Sequence, residues 1–337
     1  MPWRGTRDPY RVWVSEVMLQ QTRVATVESF YQSFLVRFPT LRALGRAREA
    51  EVLAAWSGLG YYRRARHLHA AAKLVVREHA GRVPDDAEAF GSLPGVGRYT
   101  TGAVLSIAYD RALPVLDGNV ARVLARLFAV PAAVRDPRGA RVLWALAESL
   151  VPARGAGDWN QALMELGATL CSPRRPRCEA CPVRVHCRAL ALGTPEAFPP
   201  ATERRAPQRV RRAVALVERD GRMLIARREG ALLGGMWEPP GVELGPGQSA
   251  RPRLAATLAR LGVRARLSPT DLVLRHVITH RQIEVEVWRG RLVGAAPRSA
   301  RVGLVALEAA RRKRSAGDPP RALTALARRL AGLDPTR

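Results

Sequence analysis

The sequence predicts an α+β protein of more than one domain, a nearly all-helical first half followed by a small domain that mixes strands and helices. Three observations carry this expectation. Up to about residue 190 the apolar residues recur at steps of three and four, the period of helices with one buried face. From 193 to 208 that periodicity stops and Pro195, Pro199, Pro200 and Pro207 mark a linker. Beyond it, short apolar runs flank an Asp220-Gly221 turn dipeptide, the pattern of paired strands. With 337 residues, 47% of them hydrophobic, the chain is long enough for two cores. The expected division is 1–190, a linker over 191–208, and 209–337.

A formal net charge of +26 calls for a polyanionic partner, either nucleic acid or an anionic membrane surface. No apolar run approaches the ~18 residues of a membrane span, and Met1-Pro2-Trp3-Arg4 is no signal peptide. The expectation is a soluble cytoplasmic protein that binds nucleic acid. Lys73 and Lys313 are the only lysines, so a lysine Schiff-base nucleophile has almost no candidates.

In chain order, Asp8-Pro9 is a helix start, Asp as N-cap and Pro at the first helical position. The helix runs through Trp13, Val14, Val17, Met18 and Gln21, with Glu16 and Gln20 four apart on one face. Phe30, Phe34, Phe38 and Leu41 predict a further helix ending near Pro39, and 49–56 another. Gly58-Leu59-Gly60-Tyr61-Tyr62 is a glycine-punctuated aromatic turn before a helix over 63–78. Next, Leu93-Pro94-Gly95-Val96-Gly97-Arg98-Tyr99 separates predicted helices over 85–90 and 99–109. Pro-Gly and Gly-x-Gly cannot continue a helix, so this is a tight hairpin that bares N–H groups beside a helix N-terminus, where an anion is favoured. Asp117 precedes the stripe Val120, Val123, Leu124, Leu127 and Phe128 and is read as an N-cap. A cap held anionic by the helix dipole could also support a developing positive charge. Helices over 144–150 and 159–170 complete the first half.

All four cysteines fall in one stretch, Cys171, Cys178, Cys181 and Cys187, spaced C-x6-C-x2-C-x5-C. Four thiolates so close fit either tetrahedral zinc or an iron–sulfur cluster, although zinc sites more often show two C-x2-C pairs. Arg174, Arg175, Arg177, Arg184 and Arg188 make the same loop basic, suited to phosphate. In the second half, strands are predicted over 214–217, 223–226, 272–278, 283–288 and 302–307, with helices over 254–261 and 322–330.

With these pieces in place the chain resembles the adenine DNA glycosylase family of the helix-hairpin-helix DNA glycosylase superfamily. The runs that carry the likeness are Pro2-Trp3-Arg4, Ser15-Glu16-Val17-Met18-Leu19-Gln20-Gln21-Thr22, Trp56-Ser57-Gly58-Leu59-Gly60-Tyr61-Tyr62, Leu93-Pro94-Gly95-Val96-Gly97, Leu116-Asp117-Gly118-Asn119-Val120 and the cysteine loop. The resemblance implies an all-α helix-hairpin-helix glycosylase domain with an iron–sulfur loop, followed by a small Nudix-like α/β domain. It implies excision of adenine mispaired with 8-oxoguanine or guanine, after the nucleotide is flipped from double-stranded DNA. Glu16 would protonate the leaving base and activate water, and Asp117 would stabilise the oxocarbenium-like sugar or act as a transient nucleophile. Asn119 and Tyr99 would position them. Gln20 and Tyr61 would intercalate beside the mispair, the amides of Leu93, Gly95 and Gly97 would hold phosphate, and the four cysteines would ligate a 4Fe-4S cluster. A monomer acting on the bacterial nucleoid, with no membrane, is implied as well.

Three departures refine these expectations. Endonuclease III carries a lysine nucleophile just after its hairpin where this chain has Tyr99, which predicts a glycosylase without lyase activity. The segment 251–261 has no acidic residue, so the Nudix-like domain lacks its metal-binding glutamates and is left with recognition. The family's Phe-Ser-His loop for 8-oxoguanine corresponds to Ile278-Thr279-His280; Thr279 and His280 are the expected readers, with weaker discrimination for want of the aromatic ring. Family members also carry an N-terminal helix before the run that begins here at Met1, so a truncated or misassigned start is expected. A lyase of the endonuclease III type and a catalytically silent DNA sensor are the rival readings.

Overall fold

A computed structural model describes residues 1–133, 136–201, 206–230, 233–278, 280–295, 299–311 and 323–332. The chain divides into two compact units, one of residues 1–47 and 63–204, the other of 48–62 and 205–337. The helix over 49–56, sequentially inside the helical half, groups with the C-terminal unit. Within that unit Ser57 Oγ donates to the Leu323 carbonyl at 3.2 Å and receives an Arg328 N–H at 3.3 Å.

The helices are α1 (Pro9–Leu19), α2 (Val24–Arg37), α3 (Leu41–Arg46), α4 (Glu49–Trp56), α5 (Arg63–Glu78), α6 (Ala87–Gly91), α7 (Arg98–Tyr109), α8 (Gly118–Leu127), α9 (Pro137–Leu150), α10 (Ala156–Thr169) and α11 (Arg188–Ala191). Aspartate caps begin several of them. Asp8, Asp86, Asp117 and Asp136 each accept a backbone N–H from the first turn, worth about 1 kcal/mol apiece. The helix expected to end near Pro39 ends at Arg37, and Leu41, read with its stripe, opens a further helix: the Thr40 hydroxyl caps α3 by accepting the Ala43 N–H at 3.1 Å. Helix α9 starts at Pro137, well before the expected 144, on an Asp136-Pro137 start of the same kind as Asp8-Pro9.

In the first unit α1 packs on α7, α7 on α10 and α10 on α8. Ala103, Val120, Val123, Leu124, Leu143 and Leu163 form a buried cluster between the last helices of this set. Trp13, fully buried, meets Phe90 edge-on with ring centroids 5.0 Å apart and so ties α1 to the helix before the hairpin.

The second unit is a seven-stranded mixed sheet of β1 (Gln208–Arg219), β2 (Arg222–Arg227), β3 (Trp237–Glu238), β4 (Gly241–Leu244), β5 (Ala265–Ile278), β6 (Arg281–Leu292) and β7 (Val302–Ala306). Its order is β3-β2-β1-β6-β5, with β4 also on β1 and β7 on β2. Only β1 and β6 pair in parallel among these ladders. Val214 and Leu216 face one layer with Leu326 and Leu330 of α13 (Ala325–Ala331), while Ala213, Ala215 and Val217 face Leu254 and Leu258 of α12 (Ala250–Arg260). Burial on both faces explains the unbroken apolar run of β1. The strands expected over 272–278 and 283–288 are the inner parts of the long β5–β6 hairpin. Among the described residues no helix is long and apolar enough to cross a membrane.

Candidate active site

A glutamate on a helix normally faces water, yet Glu16 of α1 is only 6% exposed. Helix α7 covers it and offers Tyr99, whose hydroxyl donates to Glu16 Oε2 at 2.8 Å and also lies 3.4 Å from Met164 Sδ of α10. Burial pushes the Glu16 carboxyl above the ordinary carboxylate range. The Tyr99 hydroxyl and Arg4 oppose that rise, and the charge of Asp117 adds to it. Burial, and then the charges of Glu16 and Asp117, hold the Tyr99 phenol well above its ordinary value, so it stays protonated and donates. The result is a carboxyl poised to keep a proton beside a second carboxylate, the division of labour that acid catalysis with charge stabilisation requires.

Asp117 caps α8 as expected. Its Oδ1 accepts the N–H groups of Asn119 (2.9 Å) and Val120 (2.7 Å), and its Oδ2 accepts Asn119 Nδ2 at 3.1 Å. The order continues outward, because Arg122 donates from Nη2 to Asn119 Oδ1 (2.9 Å) and to the Gly167 carbonyl (2.7 Å), and from Nε to the Cys171 carbonyl (2.7 Å). Close approach of α10 makes this possible. A Cβ at Gly167 would lie 2.7 Å from Asn119 Cβ and 2.9 Å from its backbone, so only glycine fits. Arg122 and Gly167 both escape sequence reasoning: one looks like a solvated helix charge, the other like a glycine that merely weakens a helix.

The hairpin is a type II turn. Pro94 occupies its second position, Gly95 takes φ +77° at the third, and Val96 N–H closes on the Leu93 carbonyl at 3.1 Å. Gly95 is also pressed against His67, where a Cβ would come within 2.5 Å of His67 Cβ. Gly97 is the N-cap of α7 and brings no side-chain cap to the first-turn N–H groups. The Leu93 N–H donates to the Phe90 carbonyl at 3.2 Å, closing the end of α6.

Gln20 ends α1, its Nε2 3.3 Å from Thr100 Oγ1 of α7. Arg64 of α5 braces it by donating to the carbonyls of Val17 and Met18, both at 2.9 Å, and to that of Gln20. A guanidinium at a helix C-terminus is favourable, but nothing in the sequence pairs Arg64 with α1. Tyr61 belongs to the second unit, where it is 42% exposed at positive φ (47°) in the turn after α4. His280, also in that unit, is exposed at the tip of the β5–β6 hairpin and its carbonyl accepts the Gln208 N–H at 2.8 Å. Thr279 lies outside the described residues. Ile278 packs partly buried against the apolar cluster beneath the sheet, which accounts for an aliphatic side chain there.

Cys171, Cys178, Cys181 and Cys187 all line one cavity of about 30 Å³, walled by Val123, Leu127 and Leu166 among others. Burial, and then the neighbouring Cys187, Cys171 and Cys181, push the Cys178 thiol up. Arg126, fully buried, staples the loop through the carbonyls of Ser172 (2.7 Å), Pro173 (3.0 Å) and Phe198 (3.0 Å), and its Nη1 lies 3.3 Å from Cys171 Sγ. Among the described residues no three Cys, His, Asp or Glu side chains are grouped to hold a single metal ion. The donor set is four soft thiols without a carboxylate.

Helix, glycine hairpin, helix, with a buried acid and a helix-capping aspartate beside it, defines a class of base-excision protein. Residues 14–148 match the HhH-GPD superfamily base excision DNA repair protein family, and residues 212–316 match the NUDIX domain. The rat adenine DNA glycosylase is 39% identical over 89% of this chain and 69% of its own length; the human one is 38% identical over 88% and 65%. A solved thermostable thymine-DNA glycosylase is 33% identical, with a TM-score of 0.52 over 57% of this chain and 88% of its own. The chain belongs to the adenine DNA glycosylase family. It is a DNA N-glycosylase, a hydrolase of base excision repair.

Proposed function

We propose that this enzyme removes adenine mispaired with 8-oxoguanine or guanine by hydrolysing its N-glycosidic bond, and stops there. The observation that carries the reading is Glu16, buried and biased toward its protonated form, bonded to the Tyr99 hydroxyl at 2.8 Å. The flipped adenine takes the Glu16 proton as its bond to the sugar breaks. Asp117, whose Oδ1 accepts two backbone N–H groups, stands against the positive charge that grows on the sugar. The Glu16 carboxylate left behind then draws a proton from the water that adds to the sugar. Tyr99 fills the place of a lysine nucleophile with a phenol held protonated, so no covalent imine can form there.

Gln20 and Tyr61 would enter the stack beside the mispair, Gly95 and Gly97 would offer N–H groups to a backbone phosphate, and Thr279 with His280 would read the base opposite. Unstacking costs a few kcal/mol, least at a mispair, and so adds selectivity. Cys171, Cys178, Cys181 and Cys187 would hold a 4Fe-4S cluster, whose part is to fix the basic loop rather than to turn over. The enzyme would act as a monomer on nucleoid DNA.

The test is single-turnover cleavage of a duplex holding adenine opposite 8-oxoguanine. Strand breaks that need alkali, and vanish in Glu16→Gln and Asp117→Asn, are the expected result. Failure of the unaltered protein to release adenine, or a borohydride-trapped adduct in high yield, would overturn the assignment.

A further inference from the structure

Helix α1 runs out at Leu19, where its last carbonyls have no intrahelical donor. Arg64 meets that need from α5. Its Nη1 donates to the carbonyls of Val17 and Met18, both at 2.9 Å, and to that of Gln20, while its Nη2 donates to Thr22 Oγ1 at 3.0 Å. One half-buried guanidinium thus closes the whole end of the helix.

The placement serves α1 rather than α5 or DNA. The first turn of α5 holds Arg63 and Arg64 and no acid, and the helix dipole disfavours a cation there. The C-terminal carbonyls of α1 offset that cost with the favourable end of another dipole. The fork also faces inward, onto three carbonyls and a hydroxyl, so it is not set out for a phosphate.

The corner closed in this way carries Gln20. Gln21 turns the chain off the helix at φ +55°, a left-handed conformation that residues other than glycine keep only with support. The Thr22 N–H returns to the Leu19 carbonyl at 3.2 Å, and on the other side the Gln20 Nε2 lies 3.3 Å from Oγ1 of Thr100, a buried residue next to Tyr99 on α7. The Gln20 backbone is therefore fixed before DNA arrives. A segment that had to be ordered on entering the stack would lose conformational freedom at that moment, and pre-ordering removes this cost from the opening step.

We propose, on the reading that Gln20 enters the base stack, that Arg64 is a positioning residue for stack opening, holding the 20–22 corner in the shape that parts the mispair from its neighbour. It takes no part in cleaving the glycosidic bond. The Glu16 carboxyl is shifted by burial, Tyr99, Arg4 and Asp117, and Arg64 is not among these groups, so the chemical step keeps its pH dependence without it.

Single-turnover excision by the full chain on two duplexes tests this. Both hold adenine opposite 8-oxoguanine; one is otherwise fully paired, and the other has mismatched flanking pairs, so its stack is already open. Arg64→Gln should be about tenfold slower on the paired duplex and close to the unaltered protein on the open one, because only the first presents the full cost of unstacking. Arg64→Lys, which keeps the charge but loses the fork, should recover part of the loss. The alkaline limb of the pH profile should stay in place. The salt slope of duplex binding should stay as well, whereas loss of a phosphate contact would lower it by about one. Gln20→Ala should show the same selective defect, and the double variant should be no slower than the slower single one.

Equal slowing on both duplexes would reduce Arg64 to a structural brace, and a lower salt slope would make it a phosphate contact; either overturns the proposal. If Arg64→Gln melts below the assay temperature, Arg64→Lys decides by the same ratio of rates, and an unchanged ratio is a refutation. A selective loss in Gln20→Ala without one at Arg64 refutes the role of Arg64 and leaves that of Gln20 standing. No selective loss in Gln20→Ala removes the reading of Gln20 and the proposal with it.

Discussion

Replacing Tyr99 with Phe keeps the ring that packs beneath Glu16 and removes one hydroxyl, so no cavity forms and the loss is chemical. The missing bond is a short one, 2.8 Å to Glu16 Oε2. Hydrogen bonds to charged groups are worth about 1.5–3 kcal/mol, which, if lost wholly in the transition state, lowers the single-turnover rate roughly 10- to 150-fold. The pH profile separates this from poorer packing. The hydroxyl opposes the upward push of burial on the Glu16 carboxyl, so removing it lets that carboxyl rise further and hold its proton to higher pH. The alkaline limb of the rate profile, where protonated Glu16 runs out, should therefore move to higher pH in Tyr99→Phe while the plateau falls. Rates measured under enzyme excess across that range, with duplex saturated, provide the assay. A uniform fall at every pH, or a limb that moves to lower pH, would refute the role assigned to the hydroxyl.

Glu16→Gln should raise the melting temperature at neutral pH. A carboxyl raised by burial takes up a proton on folding, so the stability it permits is full below the ordinary carboxylate range and is lost as pH rises to its own elevated value; melts of both proteins should converge in acid, and a gap independent of pH would contradict the burial account. Gly167→Ala should cost about 1–3 kcal/mol by forcing α10 off Asn119, seen as a lower melting temperature together with slower adenine release; an unchanged protein would mean the helices yield freely. Arg122→Gln should slow excision, through Asn119, and weaken retention of the proposed cluster, through the Cys171 carbonyl. Activity and iron content measured on the same preparation check both ends, and full iron with full activity would break the link.

Much of this protein is legible from local chemistry. Asp8-Pro9, Pro94-Gly95 and Asp117 act through bonds to residues a few positions away, so a cap or a turn can be read without the rest of the chain. The helical half, the hairpin, the convergent cysteines and the strands of the second unit follow from the same short-range rules. Even so, local rules left α9 short at its start and missed α3, although a side-chain cap decides the start of each.

What the sequence by itself determined is the inventory: two carboxylates, a tyrosine in place of a lysine, four clustered thiols and a surplus of arginine. Tertiary structure alone decided what that inventory does. Glu16 is an ordinary surface acid until α7 covers it, and only then does its carboxyl rise and meet Tyr99. Arg64 and Gly167 acquire meaning solely from partners more than forty positions away, and Arg122 joins Asn119, three positions off, to carbonyls more than forty away. The same holds for Arg212, one arginine among many in the chain, which stands out because folding buries it with Arg228 on a single carboxylate. Burial and charge proximity are properties of the packed molecule, and no period or spacing along the chain encodes them.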